Sequence, residues 1–189
     1  MAKTGYHHGN LRAALLDAAL ALVAERGPNG FTLSEAARHA GVTPAAIYRH
    51  FAGRKDVLVA AADHGFAMLA ADLQKITPAA GPGPLRAAAQ TFLAFARRQP
   101  GHYIAMFESG LLADPVLSDA IDRTFHVMDA LAAPMQITAI PPRAITAQLL
   151  AICHGTVELY ARSEKTDAAQ LLDGAVSIYL RGLTVNPSE

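Results

Sequence analysis

The chain has 189 residues, 52% of them hydrophobic, and its 16 Lys and Arg balance 16 Asp and Glu, so the formal net charge is zero. This length and apolar content point to a soluble globular protein of one large or two small domains, and neutrality argues against a uniformly basic nucleic-acid binder. Cys153 is the sole cysteine, which excludes an intrachain disulfide or a multi-cysteine zinc site and suits a reducing cytoplasm; no apolar run reaches the roughly 18 residues of a membrane span, and the N-terminus lacks the apolar core of a secretory signal.

Helical periodicity runs through the chain and no stretch alternates as a strand, so an all-α fold of about nine helices is expected. Leu11, Leu15, Ala18, Ala19, Leu22 and Val23 trace a first amphipathic helix, with Asn10 as its cap and Gly27-Pro28 as its stop. Thr32 and Glu35 have the spacing of a capping box, which starts a short helix near Leu33. Gly41, free to take positive φ, ends it and turns the chain sharply. Thr43 then caps a second short helix with Pro44 in its first turn, where a missing N–H costs nothing. Ala45 and Ala46 keep the start of that helix slim enough for its backbone to approach base edges, and Ile47 and Phe51 anchor its other face.

A longer helix over about Arg54 to Ile76 leaves this three-helix head, and 77–84, rich in Pro and Gly, is the clearest loop. Further helices are expected near 84–98, 102–111, 115–133, 142–162 and 167–183, joined by short connections that imply mostly antiparallel neighbours. The expected division is a head over 1–56 and a body over 57–189, without a flexible linker between them. Charge follows it: residues 1–56 hold seven Lys and Arg against four acids, a net +3 that leaves −3 for the rest. The basic excess coincides with the helix-turn-helix.

Gly41-Val42-Thr43-Pro44, Ile47-Tyr48-Arg49-His50-Phe51 and then Arg54, Asp56 and Leu58 resemble the helix-turn-helix signature of the TetR family of one-component transcriptional regulators. The match covers roughly residues 10 to 60, and the leader Tyr6-His7-His8-Gly9-Asn10-Leu11-Arg12 is similar to a frequent opening in that family. Where the family most often has lysine at the start of the fourth helix, this chain has Arg54 with Lys55 beside it. The resemblance implies double-stranded operator DNA, a small-molecule effector and a second copy of the chain as partners, with no cofactor and no membrane.

Within that frame Tyr48 and His50 are phosphate contacts, and Thr32, Ser34, Thr43, Pro44, Ala45, Ala46 and Arg49 complete the DNA face. Arg54 and Lys55 sit at a helix N-terminus, where orphan N–H groups and the macrodipole already favour an anion. Such contacts position the protein without specifying sequence. Lys3, Tyr6 and Arg12 form either an arm reaching the backbone or minor groove, or a solvated leader.

In the body, the run Leu149 to Leu159 around His154-Gly155 resembles the penultimate helix of a TetR subgroup named for Trp, His and Gly, although this chain has no tryptophan. Gly155 in mid-helix costs about 1 kcal/mol relative to alanine, which suggests close packing, with a partner helix across a two-fold axis as the favoured neighbour. Leu149, Ile152, Gly155, Leu159, Leu172, Val176 and Tyr179 are the dimer-interface candidates, and plain core is the competing reading. Phe92, Phe95, Tyr103, Met106, Phe107, Phe125 and Met128 are candidates for an apolar effector pocket, with His102, His126 and His154 as polar contacts.

The whole reads as a cytoplasmic, ligand-responsive repressor that binds a palindromic operator as a homodimer and is released by a small apolar or amphipathic effector. Two rivals remain. One is a small helical enzyme or metal-binding protein that uses His126 with Asp122 and Asp129, or His154 with Glu158; the sequence has no HExxH pair, Gly-rich phosphate loop or nucleophile elbow. The other is a constitutive DNA-binding protein with a purely structural body.

Overall fold

The computed structural model describes residues 11–136, 140–161 and 165–184. Among these it has nine α-helices and no strand. Helix α1 spans Leu11–Arg26 and ends where Gly27, at φ 78°, donates its N–H to the Val23 carbonyl at 2.8 Å. Helices α2 (Leu33–His39), α3 (Pro44–Ile47) and α4 (Arg54–Leu73) follow. The predicted cap of α1, Asn10, lies outside the described residues.

Helix α4 stops short of the predicted Ile76. Its end is a tight turn in which Ile76 N–H bonds to the Leu73 carbonyl at 3.0 Å, while the Asp72 carboxylate takes both Lys75, at 2.6 Å, and Arg98, at 2.7 Å. Helix α5 (Gly83–Arg98) holds to prediction within a residue. Helix α6 (Pro100–Phe107) begins two residues early and ends four early relative to 102–111. Its first turn accommodates Pro100, which needs no N–H partner there, and its end is set by Ser109, whose hydroxyl donates to the Ala105 carbonyl at 2.6 Å, and by Gly110 at φ 75°.

Helix α7 spans Ser118–Ala132, preceded by a separate 3-10 turn at Pro115–Leu117 that Asp114 caps through Val116 N–H. Helices α8 (Pro142–Tyr160) and α9 (Ala168–Thr184) complete the described residues.

The chain divides into two compact units, one drawn from the stretch up to Phe66 with Gln99–Ser118, the other from Ala67–Arg98 with Asp119 onward. Helix α4 supplies residues to both. In the first unit α1 packs on α2 and α6, and α2 on α3. Its buried side chains include Leu15, Leu22, Phe31, Ala36, Ile47, Phe51, Val57, Ile104 and Met106. Two glycines mark close approaches: a Cβ on Gly65 of α4 would meet Met106 Sδ at 2.5 Å, and one on Gly101 of α6 would collide with the Leu20 carbonyl of α1.

In the second unit α5, α8 and α9 pack pairwise around Leu85, Phe92, Phe95, Leu149, Cys153, Leu172 and Val176. Burial pushes the Cys153 thiol up to about 12. Arg143 pairs with Asp129 at 2.9 Å, and Tyr179 donates its hydroxyl to the Ile145 carbonyl at 3.1 Å.

Candidate nucleic-acid interface

The capping box predicted at Thr32 is formed. Glu35 N–H donates to Thr32 Oγ1 at 3.2 Å, while Thr32 N–H and Oγ1 both donate to Glu35 Oε2 at 2.8 Å. These bonds, the Thr32 hydroxyl first, hold the Glu35 carboxyl below its ordinary range. Gly41, at φ 74°, then makes the turn, its N–H on the Arg38 carbonyl and that of Val42 on Ala37, each at 3.0 Å. Thr43 occupies the N-cap position of α3, but its side chain makes no capping hydrogen bond. This corrects the sequence expectation: extended backbone and Pro44 start the helix, and the Thr43 hydroxyl stays exposed.

Helix α3 is a single turn of 4 residues, continued by turn hydrogen bonds from His50 and Phe51 to the Ile47 carbonyl at 3.0 Å. A turn this short has no stability of its own. It is held because Ile47 and Phe51, 0% and 2% exposed, plug into the unit's core. The opposite side offers Thr43, Pro44, Ala45 and Arg49, all exposed, and Tyr48 at 58% exposure, with Ala46, His50 and Ser34 half-buried. Slim apolar positions beside a phenol and a guanidinium suit a groove with phosphates at its rim.

The start of α4 adds two cations with different attachments. Arg54 donates to the Asn29 carbonyl at 3.3 Å, which ties it to the loop between α1 and α2. Lys55 pairs with Asp114 at 2.7 Å. Asp56, in the first turn of α4, accepts from Ala52 N–H at 2.9 Å and so ties the helix start to the preceding turn. His50 and Lys55 line one cleft of about 420 Å³ together with Arg12, Phe51, Asp56, Val59, Ala60, Asp63, Asp114 and Val116.

Arg12 belongs to α1, its guanidinium 4.8 Å from the Phe51 ring centroid, so it is neither a free arm nor a solvated leader; Lys3 and Tyr6 lie outside the described residues. Asp114 was missed by sequence reasoning, because nothing local to it signals a partner on α4.

The effector candidates fall into two groups. His102, Tyr103, Met106 and Phe107 lie on α6 in the first unit, where Tyr103 and Phe107 centroids are 5.0 Å apart and Phe66 meets Phe107 at 5.7 Å. His102, 7% exposed, faces His64, with Nε2 and Nδ1 3.2 Å apart. Burial, and secondarily the charge of His64, bring its pKa down to about 4, so His102 is a neutral polar group at neutral pH. Phe92, Phe95, Phe125, His126, Met128 and His154 lie in the second unit; Phe92, Phe95 and Met128 are buried, Phe125 and His154 half-buried, and His126 exposed.

The rival metal or acid–base arrangement is not assembled around His126. Its Nδ1 lies 2.7 Å from the backbone carbonyl of Asp122, while Asp129 is engaged by Thr146 at 2.7 Å and by Arg143. Among the described residues no group of three His, Cys, Asp or Glu could hold a metal ion, and no helix is long and apolar enough to cross a membrane.

The interface candidates also separate. Leu149, Leu172 and Val176, 0% to 1% exposed, lie in the chain's own core, and Tyr179 is tied to Ile145. Leu159 at 71% and Ile178 at 66% exposure face outward, and Gly155 has open space where a Cβ would stand. Among the described residues of the chain itself, nothing packs closely against the Cβ position of Gly155.

Comparison with known proteins accords with this geometry. Residues 15–62 match the model of bacterial regulatory proteins, tetR family, and residues 85–178 match the tetracyclin repressor-like C-terminal domain; the latter lends no support to the Trp-His-Gly subgroup. The HTH-type transcriptional regulator BetI of Rhizobium meliloti (strain 1021) is 43% identical over 49 residues, which span 26% of this chain and 24%, about a quarter, of that relative's length. Among solved structures, a protein of unknown function from Rhodococcus sp. RHA1 superposes with a TM-score of 0.77 at 25% identity over 97% of this chain and 100% of its own. AibR in complex with isovaleryl coenzyme A and operator DNA superposes with a TM-score of 0.73 at 18% identity, over 90% of this chain and 98% of its own.

Proposed function

The chain belongs to the tetR family of bacterial regulatory proteins, and we propose that it is a cytoplasmic, ligand-responsive transcriptional repressor that binds a palindromic operator as a homodimer and is released by a small apolar or amphipathic effector. The observation that carries this reading is the exposed face of α3, Thr43 to Arg49, braced by buried Ile47 and Phe51. Two such heads would enter successive major grooves about 34–36 Å apart. Helix α4, which supplies residues to both units, is the proposed lever. An effector that prefers the conformation with mis-spaced heads draws the population away from the DNA-competent state by no more than its differential affinity. AibR, bound to an acyl-coenzyme A and operator DNA, supports an amphipathic effector.

Selection of randomised duplex DNA by the purified protein tests the reading. An enriched inverted repeat bound at nanomolar concentration, and weakened by an effector, is the expected result; absence of enrichment from a well-folded dimer would sink it. Tyr48→Ala is expected to weaken the operator and unrelated duplexes alike, by about fivefold to tenfold in titrations at fixed salt. A loss confined to one base pair would refute the phosphate assignment.

The dimer seat is proposed on the outward stripes of α8 (half-buried Ile152, Gly155, exposed Leu159) and α9 (exposed Leu171 and Ile178, with Gly174), apolar side chains flanking glycines with open space at their Cβ positions. A Cβ at Gly155 has nothing within 4 Å among the described residues, so Gly155→Leu is expected to leave the monomer's helicity and melting intact while shifting sedimentation toward monomer by at least tenfold in dissociation constant. A variant that stays a full dimer at the parent's dilution limit counts against this seat.

A further inference from the structure

Lys55, the second cation at the N-terminus of α4, does not present a free charge. Its Nζ lies 2.7 Å from Asp114 Oδ2, and the two side chains differ in exposure, 69% for the lysine and 10% for the aspartate. The lysine is a long exposed stem that can swing. The aspartate is not, because Oδ1 accepts the Val116 N–H at 3.1 Å and so caps the 3-10 turn.

The loop that carries Asp114 is itself geared to α6. Ser109 Oγ donates to the Ala105 carbonyl, Leu111 N–H donates to Ser109 Oγ at 3.3 Å, and Asp114 N–H donates to the Leu111 carbonyl at 2.8 Å. The hydrogen bond to Asp114 raises the Lys55 pKa, and the one from Lys55 lowers that of Asp114. Both groups are therefore charged at neutral pH. Asp56, the nearest acid in sequence, accepts the Ala52 N–H and attracts the Lys55 ammonium less strongly than Asp114 does.

We propose that Asp114 is an affinity-setting residue, an anchored carboxylate that competes with the DNA phosphate for the Lys55 ammonium. The proposal rests on the reading of the chain as a DNA-binding regulator. Every phosphate that Lys55 takes must displace Asp114, which is left with Val116 N–H and water, and until then the pair contributes no net charge to the face. Because the loop is chained to the last turn of α6, a shift of that turn changes how firmly Asp114 holds the lysine, and hence how much of Lys55 the DNA obtains. The competition acts on the phosphate term and so changes affinity for every sequence together.

The test uses the full-length protein, its selected operator and an unrelated duplex, titrated from low to moderate salt. Asp114→Asn keeps the oxygen that accepts from Val116 N–H and removes only the charge. It is expected to bind both duplexes about fivefold to tenfold more tightly at low salt, with a steeper salt slope, by about one counterion per head. In a Lys55→Gln background the same substitution is expected to leave the slope unchanged.

Parent-like affinity and slope in Asp114→Asn overturn the proposal while the parent's own binding leaves the regulator reading standing, and an equal steepening with and without Lys55→Gln also overturns it, as general repulsion. If the parent binds neither duplex, both readings fall. Should Asp114→Asn lose helicity, Asp114→Ser, whose hydroxyl also accepts from Val116, repeats the comparison.

Discussion

Phe51→Ala is expected to abolish operator binding and to cost about 3–5 kcal/mol of stability, the usual range for emptying a buried aromatic site. Phe51 is 2% exposed, and its backbone N–H closes the turn on the Ile47 carbonyl. Its ring lies beneath the Arg12 guanidinium. Helix α3 has only 4 residues and cannot pay for its own nucleation. It keeps its shape because it packs on α2 and because the buried Ile47 and Phe51 anchor its C-terminal end, Phe51 beneath Arg12 of α1. Removing the ring frees the segment that carries Tyr48 and Arg49, and DNA contact is lost along with the packing. Urea unfolding together with a DNA titration checks this; a variant with parental midpoint and parental affinity would show that the segment does not depend on its anchor.

Gly101→Ala is expected to cost about 3 kcal/mol or more, although alanine is the better helix former by about 1 kcal/mol. The added methyl would collide with the Leu20 carbonyl oxygen and come within 3.2 Å of Leu20 Cα. Those are backbone atoms, so no side-chain rotation relieves them, and α1 and α6 must move apart. The same change at Gly155 meets nothing within 4 Å. Chemical denaturation distinguishes the two positions, and a Gly101→Ala chain as stable as its parent would mean that the α1–α6 approach relaxes freely.

Sequence reading placed the nine helices and most of their ends, because the relevant signals are local. Thr32 and Glu35 are three apart, Gly41 sets the turn, and Pro44 marks a first turn. It erred where a local signal met a distant partner. One continuous helix was expected over 115–133, whereas Pro115–Leu117 is a separate 3-10 turn, capped by Asp114, which also holds Lys55. Thr43 looked like a capping residue by type and position, yet its hydroxyl makes no cap bond. The interface candidates divided for a related reason. In an alanine-rich helix many faces look equally apolar, and only packing decides that Leu149, Leu172 and Val176 turn inward while Leu159 and Ile178 turn out.

What the amino-acid order determined by itself is the helical class, the helix-turn-helix and the residue types offered to DNA, since each rests on hydrogen bonds and side-chain spacings within about one helical turn. What only the tertiary structure decided is which cation is already spoken for, which glycine touches backbone and which apolar stripe is left bare, because those depend on helices distant in sequence coming within van der Waals reach of one another.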